Sequence, residues 1–267
     1  MLPHRVPCLV AVKSPVRVIG NLGEATHLTE KKYPLTIENR WDILYRDYPE
    51  KYDEFATTGW PNKEENKVYN KHDFRGKQVV DIGSGTGQSS FDLAPHAKLV
   101  IGVEPEKGMR DLAIKKAEEM GITNVRFADG SAQNIPIPDD SVDYVTAITT
   151  TMYPPEEAIP RFIQEAIRVT KPGGTIVFLD ITPGWYGGEL DHIIQDEWSV
   201  NQGPTADDLW RDAGFEYEDY QVVQDYGTLE KAIDVYGFIF GLKAIDYLRK
   251  HDKTTIMWSY RWYTKTV

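Results

Sequence analysis

The stretch Val79-Val80-Asp81-Ile82-Gly83-Ser84-Gly85-Thr86-Gly87 decides how the chain is read. Apolar residues run from Gln78 to Ile82 and end on a turn with glycines at 83, 85 and 87. A short helix from Gly87 to Ala94 follows and is stopped by Pro95. Glycine permits positive φ and lets a ligand lie against bare backbone. The helix start beyond it presents unpaired N–H groups and partial positive charge. A strand-loop-helix of this kind suits a nucleotide-like ligand or a carboxylate.

Working outward, the pattern alternates. Leu99–Val103 is a second apolar run, and Pro105 opens a helix that runs to Met120, with Gly121 at its left-handed end. Val125–Ala128 and Val142–Ile148 read as strands, Pro155–Val169 as a helix, Lys171–Gly174 as a turn and Thr175–Leu179 as a fifth strand. Alternation of this kind implies right-handed crossovers and a parallel sheet covered on both faces. Two further strands, Phe215–Gln224 and Thr255–Thr264, are separated by a segment carrying a helix from Leu229 to Lys250.

Spacing narrows the ligand. The dinucleotide fingerprint G-x-G-x-x-G would need glycine at position 88, which is Gln88. The loop is instead G-x-G-x-G behind an acidic residue, Asp81. Glu104 ends the second strand, where a carboxylate can accept from both hydroxyls of a ribose. Asp129 ends the third and either accepts from an exocyclic amine or closes an Asx-turn. Parallel sheets bind ligands at the carboxyl ends of their strands, so three carboxylates at three successive strand ends point to one crevice.

At these residues the chain resembles the class I S-adenosylmethionine-dependent methyltransferases, of the type found in quinone biosynthesis and small-molecule methylation. The resemblance covers roughly residues 74 to 215. It rests on VVDIGSGTG at 79–87, GVEPEKGM at 102–109, FADGSAQNIPIPDDSVDYV at 127–145 and RVTKPGGTIVFLD at 168–180. It implies a doubly wound Rossmann-like α/β fold. The sheet would be seven-stranded and mostly parallel, with an antiparallel last strand and N- and C-terminal cap insertions. The cofactor would be S-adenosylmethionine. Gly83, Gly85 and Gly87 would pass close to its methionine part and ribose, with Ser84 among the contacts, and Asp81 would orient the loop or the amino group. Glu104 would hold the ribose. Pro105 and Met109 would pack on adenine, whose polar edge Asp129 and Gly130 would address. Thr149 would lie under the methionine arm. Two departures stand out: Gly130 where alanine is frequent, and a helix splitting the last two strands.

The expected organisation is an N-terminal extension and helical cap over residues 1–70, then a methyltransferase domain over 71–267 with cap insertions at 183–204 and 225–254. Aromatic residues concentrate outside the nucleotide core, only six of 31 lying between Arg75 and Thr182. That excess suggests a pocket wall for an apolar or aromatic acceptor, with Tyr45, Tyr52, Trp60, Trp185 and Tyr186 as lining candidates. Trp258, Tyr260 and Trp262 alternate along the last strand and read as sheet packing. The Leu229–Lys250 helix is apolar around Gly237-Phe238-Ile239-Phe240-Gly241, hence buried on two sides, as a lid or a homodimer contact. The cofactor crevice itself is expected to be built entirely by the core. Methyl transfer needs a base only for a protonated nucleophile. His192, in the insertion after the fifth strand, could take such a proton. Tyr153 and Tyr186 are alternatives, and each of the three also reads as an ordinary surface or packing residue.

Composition excludes several classes. The 267 residues carry a net charge of -11, which repels a phosphate backbone, so nucleic acid is not the expected partner. No apolar run reaches the ~18–20 residues of a membrane span. The apolar stretch at Val6–Val12 is broken by Pro7 and reads as too short for a signal peptide. A single cysteine, Cys8, suits a reducing cytoplasm and rules out a disulfide framework. No His/Cys/Asp grouping has metal-ligand spacing, so no metal is expected. The competing functions are a nicotinamide-dependent oxidoreductase, disfavoured by Gln88 and by the lack of a Tyr-x-x-x-Lys pair, and a non-catalytic protein that binds the same cofactor.

Overall fold

In the computed structural model, described over residues 40–58, 68–150, 155–194 and 206–267, strand β1 (Gln78–Ile82) lies at the centre of a seven-stranded sheet. Val79, Val80, Asp81 and Ile82 are all buried, as a strand covered on both faces requires. β1 pairs in parallel with β2 (Leu99–Val103) on one side and β4 (Val142–Ile148) on the other. Beyond them lie β3 (Val125–Ala128) and β5 (Thr170–Ile181), also parallel. The strand order is β3-β2-β1-β4-β5-β8-β7. β8 (Thr255–Thr266) runs antiparallel to both β5 and β7 (Glu216–Asp225). The expected doubly wound, mostly parallel sheet with an antiparallel last strand is therefore observed. The order reverses at β1/β4, so the carboxyl ends of β1, β2 and β4 frame the crevice of a topological switch point.

Helices follow the strands as the sequence suggests, with shifted ends. In chain order α1 (Arg40–Asp47), α2 (Pro49–Thr57) and α3 (Val68–Lys71) precede β1. α4 (Gln88–Leu93) follows the glycine loop, with Gly87 at φ 90° as its N-cap. α5 (Lys107–Glu119) starts two residues after Pro105, and α6 is Pro155–Val169. After β5 come a short strand β6 (Tyr186–Glu189), a one-turn helix α7 (Asp191–Ile194) and α8 (Ala206–Asp212). The fifth strand is longer than expected and takes in the Lys171–Gly174 turn, with a register irregularity against β4 between Val142 and Tyr144.

Two cores cover the two sheet faces. One joins Val80, Ile82 and Val145 to Phe162, Phe178, Trp210, Phe215 and Tyr263. The other joins Val79, Val177 and Leu179 to Trp258, Tyr260 and Trp262, so those three pack one sheet face as anticipated. This second core also contains Leu44 of α1 and Phe55 of α2, so the N-terminal helices share a core with the sheet.

The segment expected as one helix over 229–250 is three pieces. α9 (Leu229–Ala232) is capped by the Thr228 hydroxyl, which accepts from Lys231 N–H at 3.1 Å. A π-helical turn follows over Ile233–Gly237, then α10 (Phe238–His251), broken at Gly241 with φ 79° and ψ -166°. The wide turn and the break change the direction of each face, so Phe238, Ile239 and Phe240 are all buried, each burial stabilising by ~1.5–3 kcal/mol. For Phe238 and Phe240 much of the cover comes from the protein's own N-terminal segment. Phe238 meets Tyr48 edge-on at 5.3 Å, and Phe240 contacts Trp41 at 6.0 Å, Phe55 at 6.1 Å and Trp258 at 6.2 Å. No second subunit is needed to hide this surface. Among the described residues no helix is long and apolar enough to cross a membrane.

Candidate active site

The glycine loop is set by its neighbours. Gly83 N–H and Ser84 N–H both donate to Val103 O, at 2.8 and 3.2 Å, which ties the loop to the end of β2. Gly83 sits at φ 64° and Gly85 at φ 53°, the left-handed region that glycine occupies without steric cost. A Cβ on Gly85 would stand 3.3 Å from Met109 Cε and 3.4 Å from the Tyr52 ring. Buried Met109 thus lines the loop, while Pro105 at the same strand end is exposed. Ser84 turns inward: its hydroxyl is buried, has no hydrogen-bond partner among the described residues, and lies 2.7 Å from where a Cβ on Gly102 would stand. Any ligand contact from Ser84 must therefore come from its backbone.

The three strand-end carboxylates behave differently. Asp81 is fully buried and accepts from Ser89 Oγ at 2.6 Å, Ser90 Oγ at 2.7 Å and Thr146 Oγ1 at 3.0 Å. It ties β1 to the first turn of α4 and to β4. Burial raises its pKa, against the pull of the three hydroxyls. Glu104 is also buried; its Oε2 accepts from Gly85 N–H at 2.9 Å and its Oε1 from Glu106 N–H at 2.8 Å. Burial raises its pKa too, and these two backbone donors pull it down. Asp129 is exposed and lies 3.3 Å from Arg110 Nη1. That guanidinium also donates to Glu104 O at 2.6 Å and Pro105 O at 3.1 Å, bridging the ends of β2 and β3. Gly130 follows Asp129 for a steric reason: a Cβ there would lie 2.6 Å from Pro136 Cδ.

At the end of β4 it is the neighbour of the expected residue whose side chain reaches the loop. Thr149 has φ 53°, rare for a β-branched residue, and its hydroxyl bonds back to Ile148 O at 2.8 Å. The turn delivers Thr150 onto Gly83 instead, its Oγ1 donating to Ile82 O at 3.0 Å. His192 lies in the one-turn helix α7, exposed. The phenol of Tyr186 is pushed up in pKa, first by burial and then by Asp180, Asp191 and Asp207, so it holds its proton near neutrality. Tyr153 and Trp60 fall outside the described residues, as do positions 195–204 of the insertion after β5. No cluster of three or more His, Cys, Asp or Glu fit for a metal is found among the described residues.

The crevice wall differs from the one expected. It is not built by the core alone. α2 lays Tyr52 against Gly85 and Asp53 against Thr86, whose hydroxyl donates to Asp53 Oδ1 at 2.6 Å. Tyr52 joins Tyr45 edge-on at 5.1 Å. Burial, and then the charges of Glu104, Asp53 and Asp81, push its phenol up in pKa.

Similarity to known proteins identifies the family. Residues 79–174 match the family model for a methyltransferase domain. The chain is 34% identical over 103 residues to the uncharacterized methyltransferase YcgJ of Bacillus subtilis, a match spanning 39% of this chain and 40% of that protein's length. It is 34% identical over 192 residues to a demethylmenaquinone methyltransferase of Geobacillus sp., covering 64% of this chain and 78% of the relative. In fold it is similar to the crystal structure of YcgJ, with a TM-score of 0.52 and 19% identity over 74% of this chain and 94% of that one. It is also similar to phosphoethanolamine N-methyltransferase 2 of Haemonchus contortus, with a TM-score of 0.59 and 16% identity over 86% and 61% of the two chains. The chain belongs to the class I S-adenosylmethionine-dependent methyltransferases.

The donor set suits that family's cofactor. A carboxylate offers about four lone-pair positions. Glu104 has filled two of them from backbone N–H groups, which leaves acceptor capacity for a hydroxyl pair beside the glycine loop.

Proposed function

We propose that the protein transfers a methyl group from S-adenosylmethionine to a small-molecule acceptor, apolar or aromatic, by in-line displacement. The observation that carries this is buried Glu104, fixed to Gly85 N–H at the carboxyl end of β2 with acceptor capacity to spare. In this reading Glu104 holds the ribose hydroxyls. Met109 and Pro105 pack on adenine, while Asp129 and the Gly130 backbone address its polar edge. The backbone of Gly83, Ser84, Gly85 and Gly87 accommodates the methionine part, near Thr149 and Thr150. Asp81 takes the orienting role, because its carboxylate is spent on three hydroxyls.

The cofactor supplies an activated methyl and its own leaving group. The protein is left to align the acceptor and exclude water. Tyr52 over Gly85, backed by Tyr45 and Trp41, is suited to both tasks. An apolar ring acceptor is supported by this aromatic wall and by the similarity to the Geobacillus relative, a demethylmenaquinone methyltransferase. For a hydroxyl or amine acceptor, His192 is the candidate base, with Tyr153 as alternative. The single cysteine supports a cytoplasmic setting, and the net charge of -11 argues against nucleic acid as partner. Self-association would have to use a surface other than the covered side of α10.

The reading is tested by incubating the protein with methyl-labelled S-adenosylmethionine and a library of phenols, quinols and amines, and following mass. Labelled product from an apolar ring acceptor is expected. Turnover confined to small polar amines would overturn the acceptor class.

A further inference from the structure

Five consecutive residues of α2 each have a separate partner. Lys51 Nζ bonds Asp234 Oδ2 at 2.9 Å and Glu54 Oε2 at 2.7 Å. Glu54 also pairs with Lys231 of α9. Phe55 packs on Phe240 and Trp258, both at 6.1 Å. Gln224 of β7 donates to the carbonyls of Phe55 and Thr58 at 3.2 and 2.9 Å, while its own oxygen accepts from Trp258 Nε1 at 2.9 Å. All these contacts face the insertion and the last strands. Tyr52 and Asp53 face the other way. Tyr52 lies on Gly85. Asp53 Oδ1 takes Thr86 Oγ1 from the glycine loop and Lys116 Nζ from α5, both at 2.6 Å.

The two sides of α2 are unequal. The insertion side is anchored by buried aromatic packing and a buried amide. The crevice side rests on the Tyr52 ring, on Pro49 beside Gly108 of α5, and on a carboxylate 23% exposed against a lysine 19% exposed, an ionic contact largely shielded from solvent.

We infer that Asp53 is a positioning residue that latches α2 over the glycine loop through Thr86 and Lys116, so that cofactor exchange is gated by release of this latch while α2 stays anchored to the inserted helices. The inference rests on the glycine crevice being the cofactor site. Tyr52 closes the crevice over Gly85, and Asp53 sets how long it stays closed. Because Lys51 and Glu54 of the same turn bind Asp234 and Lys231, an acceptor seated against the insertion would slow cofactor release as well.

The test is the release rate of S-adenosylhomocysteine from the full chain, measured by stopped-flow fluorescence alongside the melting temperature of the ligand-free protein. Asp53→Asn and Thr86→Val should each release it faster, by roughly tenfold for loss of a charge-assisted contact, with little change in melting temperature. The charge exchange D53K/K116D should recover much of the slow release that D53K alone loses. Wild-type release rates in both Asp53→Asn and Thr86→Val, with tight binding intact, would overturn the latch alone. A wild type that binds no S-adenosylhomocysteine would instead count against the cofactor reading beneath it. Should Asp53→Asn melt early, Thr86→Val, which removes only the loop-side bond, decides.

Discussion

Thr150 occupies the space that a side chain on Gly83 would need: its Cγ2 and Oγ1 lie 2.5 and 2.6 Å from the position of a Cβ there. Glycine at 83 is thus required twice, by φ 64° and by this neighbour. Gly83→Ala should weaken S-adenosylmethionine binding sharply. In a Thr150→Ala background the same substitution should cost less, with a coupling of ~0.5–3 kcal/mol, because only the backbone strain remains. Titration calorimetry on the four proteins measures it. Strict additivity would show that the contact does not matter.

Glu104 predicts a pH dependence. Its folded pKa is raised by burial, so protonation begins above the ordinary carboxylate range. The proposed ribose contact needs the carboxylate. Cofactor affinity should therefore be full at neutral pH and fall as pH drops through the raised value. Glu104→Gln should bind more weakly, by roughly 1–3 kcal/mol, and lose this pH dependence. A variant that follows the wild-type curve would assign the titration elsewhere.

Asp81 separates charge from hydrogen bonding. A raised pKa means that folding favours the protonated form. Its charge costs the fold nothing well below the unfolded value, and the cost grows as pH rises until the folded pKa is passed. Asp81→Asn keeps one oxygen for Ser89 and Ser90 and relieves the buried charge, so denaturant unfolding at neutral pH should change little. Asp81→Ala leaves buried Ser90 and Thr146, and half-buried Ser89, without their acceptor and should cost several kcal/mol, at ~1–3 kcal/mol for each buried unsatisfied group.

Phe240 packs against Trp41, Phe55, Tyr236 and Trp258. Phe240→Ala should destabilise by ~3–5 kcal/mol. Because Phe55 rests on the same ring, the variant should also loosen α2 and weaken cofactor binding. Deleting residues 229–250 altogether should expose Trp258 and Tyr260 and impair the crevice. A deletion protein that melts and binds cofactor normally would contradict the shared core.

The sequence carried the sheet and the loop well, because their signals are local. Gln78–Ile82, Leu99–Val103, Val125–Ala128 and Val142–Ile148 are apolar runs bounded by turn residues, and the observed strands have the same ends. The position of Glu104 at the end of β2 was legible because the apolar run before it marks the strand. What failed was non-local. Nothing in the local pattern links Asp53 to Thr86 or Lys116, 33 and 63 residues away. Gln224 closes the strand expected over Phe215–Gln224, and its burial between Phe55 and Trp258 arises only when the N-terminal helices fold over the last strands. The inserted helix misled for a subtler reason. Three successive apolar residues imply burial on two sides, but the π turn and the Gly241 break let the chain's own helices supply the second side.

In the proposed function the Gly83–Gly87 crevice with Glu104 takes S-adenosylmethionine and not a nicotinamide dinucleotide. The most direct measurement is the thermal stability of the full chain with each ligand added in turn. S-adenosylmethionine or S-adenosylhomocysteine at ~100 times its dissociation constant should stabilise by ~2.7 kcal/mol, a rise of several degrees, and Glu104→Gln should blunt it. NAD and NADH should leave the melting temperature unchanged. A rise with NADH and none with S-adenosylmethionine would contradict the account.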